Sequence, residues 1–165
     1  MSRVHPRPEQ LLAWSLVAVQ GMLLATLMLL PGGRGWTTPW WLVVVCAAMI
    51  TAAAFLALAG ALRLGAGLTA SPLPSDAARL RTGGVYACVR HPIYTALLLG
   101  GAGVVVTAAR PARIWVWLAL LALLWAKTLL EERALTARFP DYPDYAAHTP
   151  RLLPNMLRCL RRGRA

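Results

Sequence analysis

Apolar and polar positions fall into long blocks along the chain, and four of these blocks are predominantly apolar. They cover residues 11–30, 40–62, 93–109 and 114–130. As helices that rise about 1.5 Å per residue, the first two can each cross about 30 Å of hydrocarbon. The last two hold 17 residues each, at the short end of the spanning range. The pattern therefore predicts four transmembrane helices.

The segments between the apolar blocks predict how the helices connect. Only residues 110–113 separate the third block from the fourth, which predicts a tight helical hairpin. Residues 63–92 form a long loop rich in Gly, Pro and Ser, with a short helix expected from about Ser75 to Leu80. Residues 131–165 form a C-terminal segment. We therefore expect one all-α membrane domain over residues 1–165.

The composition supports a membrane protein over a soluble one. The chain is 58% hydrophobic and only 14% charged, with a mean hydropathy of +0.56, whereas soluble domains carry about 25% charged residues. The net charge of +11 raises the question of nucleic acid, but the arginines lie between apolar blocks, without an aromatic-interleaved basic patch. We expect the lipid bilayer as partner and no nucleic acid. The three cysteines show no CxxC spacing, and no metal site is predicted.

The distribution of arginines predicts the orientation in the membrane. Two lie in the N-terminal tail, four in residues 63–92 and seven after residue 130, against one in residues 31–39 and two in residues 110–113. Positively charged loops stay in the cytoplasm. The prediction is a multi-pass protein with both termini, the long loop and the C-terminal segment in the cytoplasm.

The basic C-terminal tail has two interpretations. Its sequence, LLPNMLRCLRRGRA, would place Leu153, Leu157 and Leu160 on one helical face and arginines on the other. Such a helix can lie on an anionic lipid surface. The alternative is a positively charged topology anchor without a role in a site. Both remain open.

Two polar clusters interrupt the apolar pattern. Residues 90–94 form an Arg-His-Pro-x-Tyr cluster at the start of the third block, and Glu131 and Glu132 end the fourth. Because the fourth helix returns to the side from which the third began, both clusters are expected at the same cytoplasmic level. Ionisable groups at membrane depth are costly, so a functional site is the first hypothesis for them.

Taken singly, these residues also have ordinary interpretations. Arg90 is typical of a snorkelling topology cation, and Tyr94 of an interfacial aromatic. Glu131 can pair with Lys127 one turn earlier. Acids at a helix C-terminus oppose the helix dipole, however. Together at one depth, the residues favour a site.

The residues also carry a resemblance. GVYACVRHPIY (84–94) and EERALTARFPDYPDYAAHTPRLLP (131–154) resemble the isoprenylcysteine carboxyl methyltransferase family and the related phospholipid methyltransferases. The shared parts are Gly-x-Tyr, Arg-His-Pro-x-Tyr, Glu-Glu-x-x-Leu, an aromatic-rich segment and Arg-x-x-Pro. They extend over residues 84–154. One departure is Phe139-Pro140, where the family usually has Phe-Gly.

The resemblance implies an integral membrane enzyme that uses S-adenosylmethionine, with a cofactor pocket at the cytoplasmic end of the last helices, closed by the C-terminal segment. The methyl acceptor would be lipophilic or small, and no residue selects among O, N and S. The implied catalytic residues are Arg90, His91 and Glu132. The implied cofactor-binding residues are Tyr86, His91, Pro92, Tyr94, Glu131 and Glu132.

Two other functions remain open. Some NADPH-dependent membrane reductases share a related C-terminal architecture, although the extra phosphate of NADPH asks for more arginines in the pocket. A non-catalytic membrane protein, whose charges only set topology, is the third hypothesis.

Overall fold

The computed structural model describes residues 8–154, and within this range every regular element is helical. A single 3-10 turn, Gly65–Gly67, follows the second helix. The helices are α1 (Pro8–Leu29), α2 (Trp40–Leu64), α3 (Val85–Cys88), α4 (Pro92–Ala108), α5 (Pro111–Arg138) and α6 (Tyr142–His148).

Three helices, α1, α2 and α5, are long and apolar enough to cross a membrane, and α4 is a shorter apolar helix of 17 residues. Many of their large apolar side chains point outward, among them Trp14, Phe55 and Trp115. In water so many exposed apolar side chains would favour aggregation, whereas in a bilayer they can contact the hydrocarbon of the lipids. The predicted all-helical membrane architecture is confirmed at this level.

The last long helix differs most from its predicted bounds. Helix α5 begins at Pro111 and ends at Arg138, whereas the apolar block predicted residues 114–130. The extension, EERALTAR, is polar but consists mainly of strong helix formers. A prediction from hydropathy alone therefore places the end of this helix too early in the sequence. Glu131 and Glu132 lie inside α5, so the expected conflict with the dipole at a helix C-terminus does not arise.

The long helices pack in pairs, α2 against α4 and α1 against α5, and α4 also contacts α5. Leu27, Val105, Leu120 and Leu124 form the buried core between α1, α4 and α5. Gly103 lets α4 approach α2 closely, since a Cβ there would lie 3.2 Å from the Cys46 carbonyl oxygen. Small residues serve the same purpose in many membrane helix pairs.

Two sets of connections lie at opposite ends of this bundle. At one end, the amides of Gly33 and Gly35 donate to the carbonyls of Ala108 and Ala109, and the Arg113 side chain donates to a carbonyl at the end of α1. At the other end lie residues 65–91, α6 and residues 150–152. The two predicted polar clusters are both at this second end.

Two expectations for the loops have different outcomes. The helix predicted from Ser75 to Leu80 is wrong, because this segment forms only a turn at Asp76 and Ala77. The Arg138 side chain donates hydrogen bonds to the carbonyls of Ser75 (2.6 Å) and Asp76 (2.9 Å). These carbonyls therefore have hydrogen-bond donors without forming a helix. The predicted amphipathic tail cannot be compared, since Leu157 and Leu160 lie outside the described residues.

Candidate functional site

The first turn of α4 is fixed by the chain on both sides of it. Pro92 occupies the first turn of the helix, where its missing N–H is not needed. The amides of Arg90 and His91 donate to the carbonyls of Pro150 (2.9 Å) and Arg151 (3.2 Å). Thr95 donates through its hydroxyl to the Leu152 carbonyl at 2.7 Å. Residues 150–152 therefore pack directly against the start of α4.

Glu132 lies at the centre of a cluster of cations and is only 9% exposed. Arg151 donates two hydrogen bonds to its carboxylate, from Nε at 2.9 Å and from Nη2 at 2.6 Å. His91 Nε2 lies 3.0 Å and Arg90 Nη1 3.3 Å from the same Oε1 atom. The hydrogen bond to Glu132 raises the pKa of Arg151. This carboxylate holds three side chains from two segments, residues 90–91 and Arg151, in one arrangement.

Glu131 has different neighbours. Its Oε2 atom lies 3.6 Å from His91 Nδ1, and its carboxylate forms a hydrogen bond with the Tyr94 hydroxyl. The rings of His91 and Tyr94 are stacked, with centroids 5.5 Å apart and planes 6° from parallel. His91 is thus held between two carboxylates, one near each ring nitrogen.

A cavity of about 410 Å³ opens beside this stack, within the usual size range of small-molecule sites. Its walls come from α3, α4, α5, α6, Arg90, His91, residues 67–81 and one side chain each of α1 and α2. Most of the lining is apolar. The predicted residues that line it are Tyr86, Arg90, His91, Pro92, Tyr94 and Glu131.

Glu132 is the one predicted residue that does not line this cavity. It lies next to a more open groove on the other side of His91, together with Arg133 and Arg151. The structure therefore places one of the two adjacent glutamates at the cavity and the other among the cations behind it.

Burial and hydrogen bonds hold three tyrosine side chains of the site in position. The Tyr86 hydroxyl donates to the Gly60 carbonyl at 3.3 Å, and the Tyr145 hydroxyl donates to the Tyr86 carbonyl at 2.7 Å. Burial raises the pKa values of Tyr86 and Tyr142, so both remain neutral donors. Pro140, the departure from the family pattern, leaves Tyr142 and Tyr145 buried at the cavity.

Two buried polar atoms at the cavity residues have no hydrogen-bond partner within residues 8–154. They are Arg90 Nε and the Tyr142 hydroxyl. Buried polar groups are nearly always satisfied. Both residues line the cavity, although these two atoms are themselves buried within the protein.

Several contributors were missed by sequence reasoning. Gln20 of α1 lines the cavity, as do Arg79 and Arg81 of the long loop. Lys127 was noted only as a partner of Glu131, but it is fully buried and contacts Gln20. A polar amide within an apolar block was the available signal for Gln20. No comparable feature of the sequence predicted that Arg79 and Arg81 of the long loop would line the cavity.

The arrangement offers a carboxylate, an imidazole, neutral phenols and guanidinium groups around one apolar cavity. It can accept hydrogen bonds from a cationic or hydroxylated ligand at Glu131 and bind an anionic group at the arginines. His91 can take or give a proton. Within the described part of the chain, no His, Cys, Asp and Glu residues cluster as a metal site would require.

The described part of the chain is thus an all-helical membrane protein with a mostly apolar cavity at one end of its bundle, and the motif residues line that cavity. The family model for phospholipid methyltransferases matches residues 40–141, more than half of the chain, and the chain belongs to this family. Its members are integral membrane S-adenosylmethionine-dependent methyltransferases. The resemblance is confirmed at the level of the phospholipid methyltransferase family, and the match includes residues 84–141 of the region that carries it, whereas residues 142–154 lie outside the match. Helix α1 lies outside the matched residues. No curated protein matches the chain.

Proposed function

We propose that this protein transfers a methyl group from S-adenosylmethionine to a lipophilic or small acceptor, in the manner of isoprenylcysteine carboxyl methyltransferases. The observation that carries the proposal is the convergence of Tyr86, Arg90, His91, Tyr94 and Glu131 on one cavity. These residues come from two distant parts of the chain that share the family motifs.

The residues present fit the cofactor. Glu131 would accept hydrogen bonds from its ammonium group or its ribose hydroxyls. Arg90, which lines the cavity, would hold its carboxylate. The rings of Tyr86 and Tyr94 would pack against adenine. The volume of about 410 Å³ also suits a ligand of this size class.

S-Adenosylmethionine supplies both the methyl carbon and its own leaving group. The protein's main task is therefore positioning. Glu132 contributes by holding Arg90, His91 and Arg151 in place through hydrogen bonds and ion pairs. Of the predicted catalytic set, we retain Arg90 and His91 as the proposed catalytic residues, and Glu132 as the positioning residue that orients both of them.

The role of His91 depends on the acceptor. When the imidazole is neutral and donates from Nε2 to Glu132, Nδ1 carries the lone pair and can accept a proton. A protonated amine or a thiol needs such a base. A carboxylate acceptor needs none, and His91 would then serve only to bind and orient.

The proposed topology has four crossings, with α4 and α5 as a hairpin and both termini in the cytoplasm. It is supported by the excess of arginines at the end of the bundle that holds the cavity. A polar cofactor would then enter from the cytoplasm, and an apolar acceptor from the bilayer.

An NADPH-dependent reductase is the second candidate, favoured by Arg79 and Arg81 in the cavity lining. Two arginines at the mouth would suit the extra phosphate. Membership of a methyltransferase family favours the first candidate. A non-catalytic membrane protein leaves the convergence of the motif residues on one cavity without an explanation.

The deciding experiment measures binding of S-adenosylmethionine to detergent-purified protein by calorimetry. We expect binding in the wild type, loss in His91→Ala and Glu131→Gln, and retention in His148→Ala, which alters an exposed histidine away from the cavity. Binding of NADPH alone would favour the reductase. A folded wild type that binds neither would contradict both enzymatic functions.

A further inference from the structure

Lys127 is a cation within the long apolar helix α5, and its side chain is 0% exposed. A charge at such a position is costly unless it is paired. No part of the proposed catalytic set uses it. Its contacts therefore need a separate explanation.

The contacts of Lys127 reach three elements at once. Its Nζ donates to Gln20 Oε1 of α1 at 2.5 Å and to the Ala70 carbonyl of the long loop at 2.9 Å. It also lies 5.4 Å from the centroid of the Tyr94 ring on α4, within the range of a cation–π interaction.

All three partners of Lys127 line the cavity, whereas Lys127 itself does not. The lysine thus lies just outside the cavity lining and holds Gln20, Ala70 and Tyr94 in position. Tyr94 in turn stacks on His91 and bonds Glu131. A displacement of Lys127 would shift the α1 wall, the loop wall and the stacked pair together.

We infer that Lys127 is a positioning residue that joins α1 and residues 69–71 to the cofactor cavity. The inference rests on the proposed function and extends it to α1, which lies outside the family-matched residues 40–141. In this chain α1 is then part of the binding site through Gln20, in addition to its role as a membrane helix.

The chain offers a matched control in Arg113. It is the other buried cation of α5, at 7% exposed, and it also donates to a backbone carbonyl of another segment. It lies at the opposite end of the bundle from the cavity. Lys127→Met and Arg113→Met each remove one buried cation from the same helix, but only Lys127 contacts residues that line the cavity.

The test measures thermal stability and the Kd for S-adenosylmethionine of full-length protein in detergent. Lys127→Met should weaken binding at least about tenfold, because misplaced walls lose productive contacts. Arg113→Met should lower stability while leaving the Kd within about twofold. Lys127→Arg, which keeps a cation and its donors, should restore part of the lost affinity although it is bulkier than the native side chain.

Equal changes of Kd in Lys127→Met and Arg113→Met would overturn the inference, and so would wild-type affinity in Lys127→Met. If Lys127→Met does not fold, Gln20→Met removes the same hydrogen bond from the α1 side, and unchanged binding there would overturn it as well. A folded wild type that binds no S-adenosylmethionine would overturn the proposed function and this inference with it.

Discussion

Adjacent glutamates on one helix have separate surroundings in this protein. Neighbouring residues of an α-helix project about 100° apart. Glu131 therefore reaches the cavity and Tyr94, while Glu132 reaches the cations behind His91. The return of α5 to the level of His91 was predictable from the order of apolar blocks. Which glutamate turns to which side was not, because it depends on the rotation of α5 about its axis.

Replacement of Glu132 by Gln should lower the free energy of unfolding by about 2 kcal/mol or more, since it leaves Arg90 and Arg151 without their buried counter-charge. Asp144→Asn is the control, because that carboxylate is 88% exposed and its loss should change stability by less than about 0.5 kcal/mol. Denaturation in detergent measures both. Equal stability of the two variants would show that the cation cluster contributes little.

Buried tyrosines predict a loss of stability at alkaline pH. Burial raises the pKa values of Tyr86 and Tyr142 above the ordinary value of about 10. Their contribution is complete below that pH and falls as the pH rises further, because the unfolded chain ionises first. In a spectrophotometric titration, Tyr142→Phe should match the wild type up to about pH 10 and lack one late-titrating phenol above it. A difference between the two proteins in tyrosinate absorbance already present below that pH would contradict this.

At the scale of elements, the apolar blocks predicted which segments are helical better than where the helices end. The polar extension of α5 to Arg138 and the turn at Asp76 were both missed. Hydropathy reports the lipid-facing part of a helix, and loop conformation depends on distant donors such as the Arg138 side chain. The motif residues were identified correctly as neighbours in space, but the loop and α1 walls of the cavity had no motif.

The entry to α3 depends on the backbone of Gly84. Its φ of 63° and ψ of −131° suit only glycine well, and a Cβ there would lie 3.0 Å from Arg63 Nε. Gly84→Ala should therefore destabilise the protein by about 1–3 kcal/mol. Gly83→Ala is the matched control, since its Cβ would meet nothing within 4 Å. Thermal unfolding in detergent compares them, and equal midpoints would disprove the strain at Gly84.

At the scale of the whole molecule, the two ends of the bundle differ in what they do. One end joins residues 30–36 to the turn between α4 and α5 through backbone hydrogen bonds. The other end gathers the cavity, the long loop and α6. The order of the apolar blocks predicted that both polar clusters lie at one end of the bundle, but it could not show which segments form the walls of the cavity.

The topology predicts opposite accessibility for two inserted epitope tags. A tag after Thr37 should be reached by antibody in intact cells, because residues 31–39 are expected outside the cytoplasm. A tag after Thr82 should be reached only after permeabilisation. Both sites are exposed in the structure, so insertions should be tolerated. Equal labelling of both tags in intact cells would contradict the four-crossing arrangement.

The hydrogen bonds of residues 150–152 with Arg90, His91 and Thr95 also determine the order in which parts of the structure can form during translation. Residues 150–152 are joined to the chain only after all of α1 to α5 has been translated. Until then, Glu132 lacks Arg151 and the amides at the start of α4 lack their acceptors. The start of α4 and the surroundings of Glu132 can therefore be completed only after residues 150–152 have been translated.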